Sequence, residues 1–289
     1  MNYPATSRRQ FLTHSAAASL ALAIPRIAHA APPPPSAFGV QLYTVRSLVQ
    51  DHPASVLAAI RAIGYRSVET YAGQYTLPAS QLRSLITDAG LAVPSAHFRY
   101  EDFDTRFDYA AELGAHNIVC GMAPKSIADS ADGFKRAADQ YNLWGEKARK
   151  ANLRFAFHNH NSDFQSFDGH TGIDILLANT DPALVQWQID CYWVAEAGLD
   201  PLTLMRQHHT RIQTLHVKDR KPGFPPSTTL DHNAQHFTEV GNGTLDWKSI
   251  WDYASSIGVR YFFIEQDTTE IPPLDSLRTS YTNLKRILT

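Results

Sequence analysis

Eight short apolar runs recur along this chain, each separated from the next by a longer stretch, and this alternation limits the fold more than any other feature. The runs are Phe38 to Tyr43, Ser67 to Thr70, Val93 to Phe98, Asn117 to Cys120, Arg154 to His158, Val185 to Asp190, Gln213 to Val217 and Tyr261 to Glu265. Between them, Pro53 to Ile63, Ala79 to Ala89, Phe107 to Leu113, Asp132 to Ala151 and Leu274 to Leu288 have the apolar period of amphipathic helices. Strand and helix in turn imply a parallel sheet. Gly64, Gly90, Gly114 and Gly258 each follow a helical run and precede a strand, where a left-handed C-cap belongs. A doubly wound open sheet uses the same alphabet, but no G-x-G-x-x-G follows the first strand, and eight strands of similar spacing suit closure. The expectation is α/β, a single (β/α)8 TIM barrel over residues 37–289.

The first thirty residues do not belong to that pattern. They hold Arg8, Arg9 and Arg26 but no acid, and Ser15 to Ile24 is an Ala-rich apolar run too short to span a bilayer. Ala28-His29-Ala30 fits a signal peptidase cut after Ala30, followed by a proline-rich spacer over 31–36. Ser7-Arg8-Arg9-Gln10-Phe11-Leu12 resembles the twin-arginine (Tat) export signal, with an ordinary Sec signal as the competing reading. The expectation is a periplasmic or otherwise exported protein that uses the Tat machinery and has no membrane contact once the signal is removed. An export route for folded protein would also let a metal be loaded in the cytoplasm, before zinc and copper compete for N and O ligands. Removing residues 1–30 takes away three of 26 basic residues and none of 28 acidic ones, leaving 23 against 28, a net of −5. That balance argues against a nucleic-acid partner. Cys120 and Cys191 form no CxxC pattern, come from strands that are not neighbours in a barrel, and are expected as free buried thiols.

Polar residues crowd the C-terminal ends of the strands: Glu69, His97, His158, Asp190, His216 and Glu265. In a barrel these ends share one mouth. From His158 to Asp190 is 32 residues and from Asp190 to His216 is 26, each about one βα unit, and the step of 49 to Glu265 adds an insertion over 219–245. Two imidazoles and two carboxylates from strands five to eight would then converge as a divalent-metal set, suited to Mn, Fe, Co, Ni or Zn more than to Mg. Each residue alone has a plainer reading as a hydrogen-bonded wall residue.

Phe38-Gly39-Val40-Gln41-Leu42-Tyr43-Thr44-Val45-Arg46, Gly64-Tyr65-Arg66-Ser67-Val68-Glu69, His158-Asn159-His160, Leu215-His216-Val217-Lys218-Asp219 and Val240-Gly241-Asn242-Gly243-Thr244-Leu245-Asp246-Trp247 together resemble the sugar phosphate isomerase/epimerase family, the xylose-isomerase-like TIM barrels. The resemblance runs from about residue 37 to the C-terminus. It implies a barrel with one divalent metal held by Glu, Asp, His and Glu from the last four strands. Asp190, His216 and Glu265 match that set, but His158 stands at the first position. In the family's epimerases the carboxylates on strands five and eight exchange the substrate proton as a pair, and this chain has lost one of them. The resemblance therefore implies Glu265 as lone base, with His160 or His97 as proton donors. A single base beside a polarised carbonyl suits β-elimination, hydration or one-base isomerisation. A branch with His-Asn-His strand ends resembles enzymes acting on 3-keto-glycosides, and export fits glycosides better than sugar phosphates.

Several residues carry supporting expectations. Glu69 orients a ligand or binds a sugar hydroxyl, against a salt bridge to Arg46 or Arg99. Lys218 follows His216 and points away by strand alternation unless the strand has ended, in which case it serves the substrate or the metal's surroundings. His160 shares a face with His158 and is a second candidate for metal support. Tyr43, Phe98, Phe164 and Trp193 offer apolar platforms for a sugar ring, core packing being their commoner fate. Asp246 caps a helix. His52, His116, His170, His208, His209, His232 and His236 are left unassigned, most of them read as surface residues.

The function these readings support is a metal-dependent enzyme taking a proton next to the carbonyl of a keto sugar or 3-keto-glycoside, isomerase/epimerase-like or an eliminase or hydratase. A catalytically inactive exported sugar-binding barrel is the alternative. A metal-dependent phosphodiesterase of the same fold needs more ligands and a basic face. The exact sugar and the oligomeric state stay open, a homo-oligomer included.

Overall fold

A computed structural model describes residues 38–289. The export signal expected at 1–30 and the spacer at 31–36 lie outside the described residues. Eight parallel strands close into one barrel: β1 (Gly39–Gln41), β2 (Ser67–Thr70), β3 (Ala92–Phe98), β4 (Asn117–Cys120), β5 (Arg154–His158), β6 (Val185–Asp190), β7 (Ile212–Val217) and β8 (Phe262–Ile264). β8 pairs back onto β1. The outer ring is α1 (Pro53–Ile63), α2 (Ala79–Asp88), α3 (Phe107–Leu113), α4 (Ala131–Lys150), α5 (Gly172–Asn179), α6 (Pro201–Gln207), α7 (Trp247–Ser256) and α8 (Pro273–Leu288). The single (β/α)8 barrel is therefore the fold, and the alternation of the sequence is its direct expression.

Where the elements differ from expectation, local hydrogen bonding decides. β1 stops at Gln41 because its side-chain oxygen accepts from the Tyr43 backbone N–H at 3.2 Å, turning Leu42–Val45 into a 3-10 turn. α5 and α6 are too short to show a period, but each carries a start signal. Thr171 and Asp174 form a capping box, and Asp200 caps a helix that opens on Pro201. Asp246 caps α7 as expected, accepting from the Ser249 N–H at 3.1 Å. The four C-cap glycines all take positive φ, between +75° and +131°. Both cysteines are free and buried.

The apolar core is the layer between strands and helices, not the barrel interior. Outward residues such as Phe155, Phe157, Trp187 and Leu215 join one continuous cluster with the helices. Each such side chain contributes roughly 2 kcal/mol of burial. Alternation turns the intervening residues inward, where Gln41, Glu69, Ser95, Gln188 and Thr214 are buried and hydrogen-bonded to one another. Gly39 is needed here for close approach, since a Cβ would meet the Phe263 ring at 2.6 Å.

The insertion over 219–245 is anchored rather than loose. Asp219–Arg220 pairs antiparallel with Phe237–Thr238. The Asp219 carboxylate accepts from the N–H groups of Gly241 (2.8 Å), Gly243 (3.1 Å) and Leu245 (3.3 Å) and from Trp247 Nε1 (3.0 Å). Arg220 donates to Glu196, Phe224 O and Pro225 O, and Asn161 Nδ2 donates to Ser227 O and Thr229 O. Among the described residues, no helix is long and apolar enough to cross a membrane.

Candidate active site

The strand ends bring Glu69, His97, His158, Asp190 and His216 to one mouth, with Lys218 one residue past β7 and Glu265 one past β8. They lie in or beneath a cavity of about 520 Å³ walled by Tyr43, Tyr71 and Phe98 on one side and His160 and His232 on another.

The four expected metal ligands meet. His158 Nε2 is 3.6 Å from Asp190 Oδ2, His216 Nδ1 is 3.8 Å from the same oxygen, and His216 Nδ1 is 2.7 Å from Glu265 Oε2. They form two overlapping groups that share His216: Asp190, His216 and Glu265 in one, His97, His158 and His216 in the other, each with ligand atoms within 4.8 Å. His97, expected as a proton donor, thus also stands at ligand distance.

The donor chemistry fits a divalent ion. Asp190 spends Oδ1 on the Trp193 N–H at 3.0 Å, and its Oδ2 is buried without a well-aligned hydrogen bond, although Lys218 Nζ approaches to 3.1 Å. His158 Nδ1 lies 3.1 Å from Gln188 Oε1. Gln188 donates its amide to Glu69 at 2.8 Å and Thr214 at 3.0 Å, which fixes Oε1 as the acceptor, places the proton on His158 Nδ1 and leaves Nε2 a lone pair. Burial, then the charge of His216, holds the His158 imidazole well below the ordinary histidine range.

His216 is held from both sides, Nε2 at 2.6 Å from Glu69 and Nδ1 at 2.7 Å from Glu265. Burial opposes its charge, but Glu265 and Glu69 outweigh that and push its pKa up to about 10. Glu69 makes no salt bridge to Arg46 or Arg99. It is fully buried and accepts from Gln41 Nε2 (2.7 Å), Ser95, Gln188 and His216. Its carboxylate is used up in orienting His216, so it is not a substrate contact. Burial raises its pKa, and the His216 charge and hydrogen bond more than reverse that.

Lys218 turns inward, against the expectation that it points away, because it stands two residues after His216 and so keeps the same face by strand alternation. Its ammonium sits 2.8 Å from Glu265, 2.8 Å from Asp267 and 3.1 Å from Asp190. Desolvation works against it, but the three carboxylates keep it charged. Burial raises Glu265, while Lys218 and His216 hold it below the usual carboxylate range. For Asp190 the burial effect wins and the pKa rises.

Trp193 does not line this cavity. Asp190 caps the short helix Cys191–Glu196, which turns the ring behind the rim, 5.3 Å from His160 and 5.4 Å from the Lys218 ammonium. Tyr43 does line the wall, with the Arg46 guanidinium 4.1 Å above its ring. His160 lines the wall too, and burial holds its imidazole neutral with Nδ1 unpartnered. Gln188, Gln41 and Ser95 were not foreseen, being polar residues at inward positions of otherwise apolar runs, and neither was Asp267, in the loop after β8. Of the histidines left unassigned, His232 lines the cavity, 2.7 Å from Asp267, while His236 lies 3.0 Å from Glu196 in a separate hollow of the insertion.

The family model of the xylose isomerase-like TIM barrel matches residues 57–287. An inosose dehydratase from Lacticaseibacillus casei is 26% identical over 246 residues, 73% of this chain and 82% of the relative. A sugar phosphate isomerase/epimerase from Parabacteroides distasonis superposes with a TM-score of 0.73 at 21% identity, covering 87% of this chain and 95% of that one. The IOLI protein, whose crystal structure holds a zinc atom, superposes with a TM-score of 0.65 at 12% identity, covering 87% and 98%.

Proposed function

The chain belongs to the xylose isomerase-like TIM barrel family and is an enzyme of its sugar isomerase/epimerase group, which includes dehydratases, and from that premise we propose that it is a divalent-metal-dependent carbon–oxygen lyase acting on 3-keto-glycosides. The observation that carries this reading is the convergence of His158 Nε2, His216 and Glu265 on the buried Asp190 Oδ2 below the cavity, an oxygen whose nearest cation is the Lys218 ammonium at 3.1 Å, without an aligned hydrogen bond. A divalent ion held by His158, Asp190, His216 and Glu265 would supply Lewis-acid polarisation of the substrate carbonyl. The zinc of the IOLI protein supports such an ion without fixing its identity.

Glu265 is on the cavity wall and is kept anionic by Lys218 and His216, so it is ready to take the proton from the carbon beside that carbonyl. The same two cations weaken it as a base, so it serves only a carbon acid that is already activated. With His158 in place of a second carboxylate, a matched pair for epimerisation is lacking, and departure of the β-oxygen completes the turnover instead. A dehydratase cleaves the same kind of C–O bond, which is why the named relatives support a lyase. The aromatic wall of Tyr43, Tyr71 and Phe98 gives a ring-shaped polyol an apolar face to lie on. The cavity suits a neutral sugar rather than a phosphate, because Lys218 is neutralised by three carboxylates and Arg99 is paired with Asp102. A glycoside substrate also accords with the exported, periplasmic location proposed from residues 1–30.

Metal-loaded protein incubated with 3-keto-glucosides in heavy water, followed by NMR, tests this. Release of the aglycone is expected, and Glu265→Gln should slow it by about 10²–10⁴-fold. C–H exchange with no release would make it an isomerase, and binding with no turnover in either protein would make it a sugar-binding barrel.

A further inference from the structure

A β-elimination needs a proton delivered to the departing oxygen as well as one removed from carbon, and the residues placed so far do not deliver it. Lys218 is tied to three carboxylates. His158 gives its Nδ1 proton to Gln188, and both nitrogens of His216 face carboxylates. His97 stands at ligand distance in the group with His158 and His216, and the His160 ring has Nδ1 without a partner to orient or charge it.

One cavity-lining imidazole has the arrangement of an oriented acid. His232 Nδ1 is 2.7 Å from Asp267 Oδ2, while Asp267 Oδ1 takes the Lys218 ammonium at 2.8 Å. That ion pair makes Asp267 an acceptor, so Nδ1 is the donor and Nε2 is the nitrogen left to exchange a proton. The ring is 41% exposed and makes T-shaped contacts with His160 at 5.4 Å and Trp193 at 5.7 Å. His232 belongs to the insertion, yet its position is built. Residues on both sides of it are held by the Asp219 carboxylate, by Arg220, and by Asn161 at Ser227 and Thr229. Trp193, expected as a sugar platform, instead backs this ring.

Resting on the lyase reading above, we propose that His232 is the general acid of the elimination, and that Asp267 is its positioning residue. His232 enters as the imidazolium with its Nδ1–H held by Asp267. Glu265 takes the proton from C2, the C1–O bond breaks toward oxygen as the C1–C2 double bond forms, and the oxygen takes the proton from His232 Nε2, leaving the neutral ring. The products are an enone and the free alcohol. Water returns a proton to His232 and removes the one on Glu265, so charge and atoms balance.

The test uses the full-length, metal-loaded enzyme with 3-keto derivatives of methyl and 4-nitrophenyl glucosides. An alkoxide needs the acid and a nitrophenolate does not. His232→Ala and His232→Gln are each expected to lose about 10²-fold or more on the methyl glycoside and less than about tenfold on the nitrophenyl glycoside. Equal loss on both substrates, or no loss on either, would overturn the role of His232 and leave the lyase reading standing. A wild-type enzyme that releases neither aglycone would overturn the lyase reading and this proposal together. Unchanged metal content and Tm in the variants show that the fold is intact.

Discussion

A single imidazole, His216, carries much of the site's charge logic. Its pKa near 10 in the folded chain, against 6.5 for an ordinary histidine, means that its contribution to stability is fully present below about pH 6.5 and is lost as pH rises through about 10. Ligating a metal requires one of its two protons to leave. Metal affinity is therefore expected to rise by about tenfold per pH unit between pH 7 and 9, with one proton released per ion bound. Competition titration against a chelator at several pH values, with a proton count in weak buffer, checks this, and a pH-independent affinity would remove His216 from the ligand set. The sequence made His216, Asp190 and Glu265 legible because each ends an apolar run. It hid Glu69's role and Gln188 altogether, since one inward polar residue in a buried strand has no local mark. His232 was invisible for another reason: it sits in a segment with no period, and only the fold brings it 35 residues back in sequence from Asp267 to within 2.7 Å.

Among the elements, the strands were readable and the connections were not. Ser67–Thr70, Asn117–Cys120, Arg154–His158 and Val185–Asp190 occur as their apolar runs end, because flanking glycines and polar residues close them. The insertion after β7 reads only as Pro, Gly, Thr and His, yet one carboxylate, Asp219, gathers three backbone N–H groups and an indole. Asp219→Asn turns one acceptor oxygen into an amide donor facing those donors. It should cost about 2 kcal/mol. Faster hydrogen exchange at Gly241 and Gly243, with the barrel strands unchanged, is the expected result, and an unaltered rate would show that the insertion is held by other contacts. Gly243 tolerates no side chain for the same reason, as a Cβ there would collide with Asp219.

Over the whole molecule, the fold separates stability from chemistry. The apolar layer lies outside the strands, and the interior above it is a hydrogen-bonded polar column that the strand ends complete. The twin-arginine export signal proposed for residues 1–30 makes its own prediction: changing Arg8 and Arg9 together to Lys should leave the protein in the cytoplasm, as read by cell fractionation, and undiminished export would favour the Sec route. The insertion leaves and rejoins the barrel between β7 and α7, and carries His232 against a partner, Asp267, that stays on the barrel. Such a piece behaves as a cassette. Relatives could trade it for one of another shape and so remodel one side of the cavity, while the closed sheet and the polar strand ends beneath are inherited untouched.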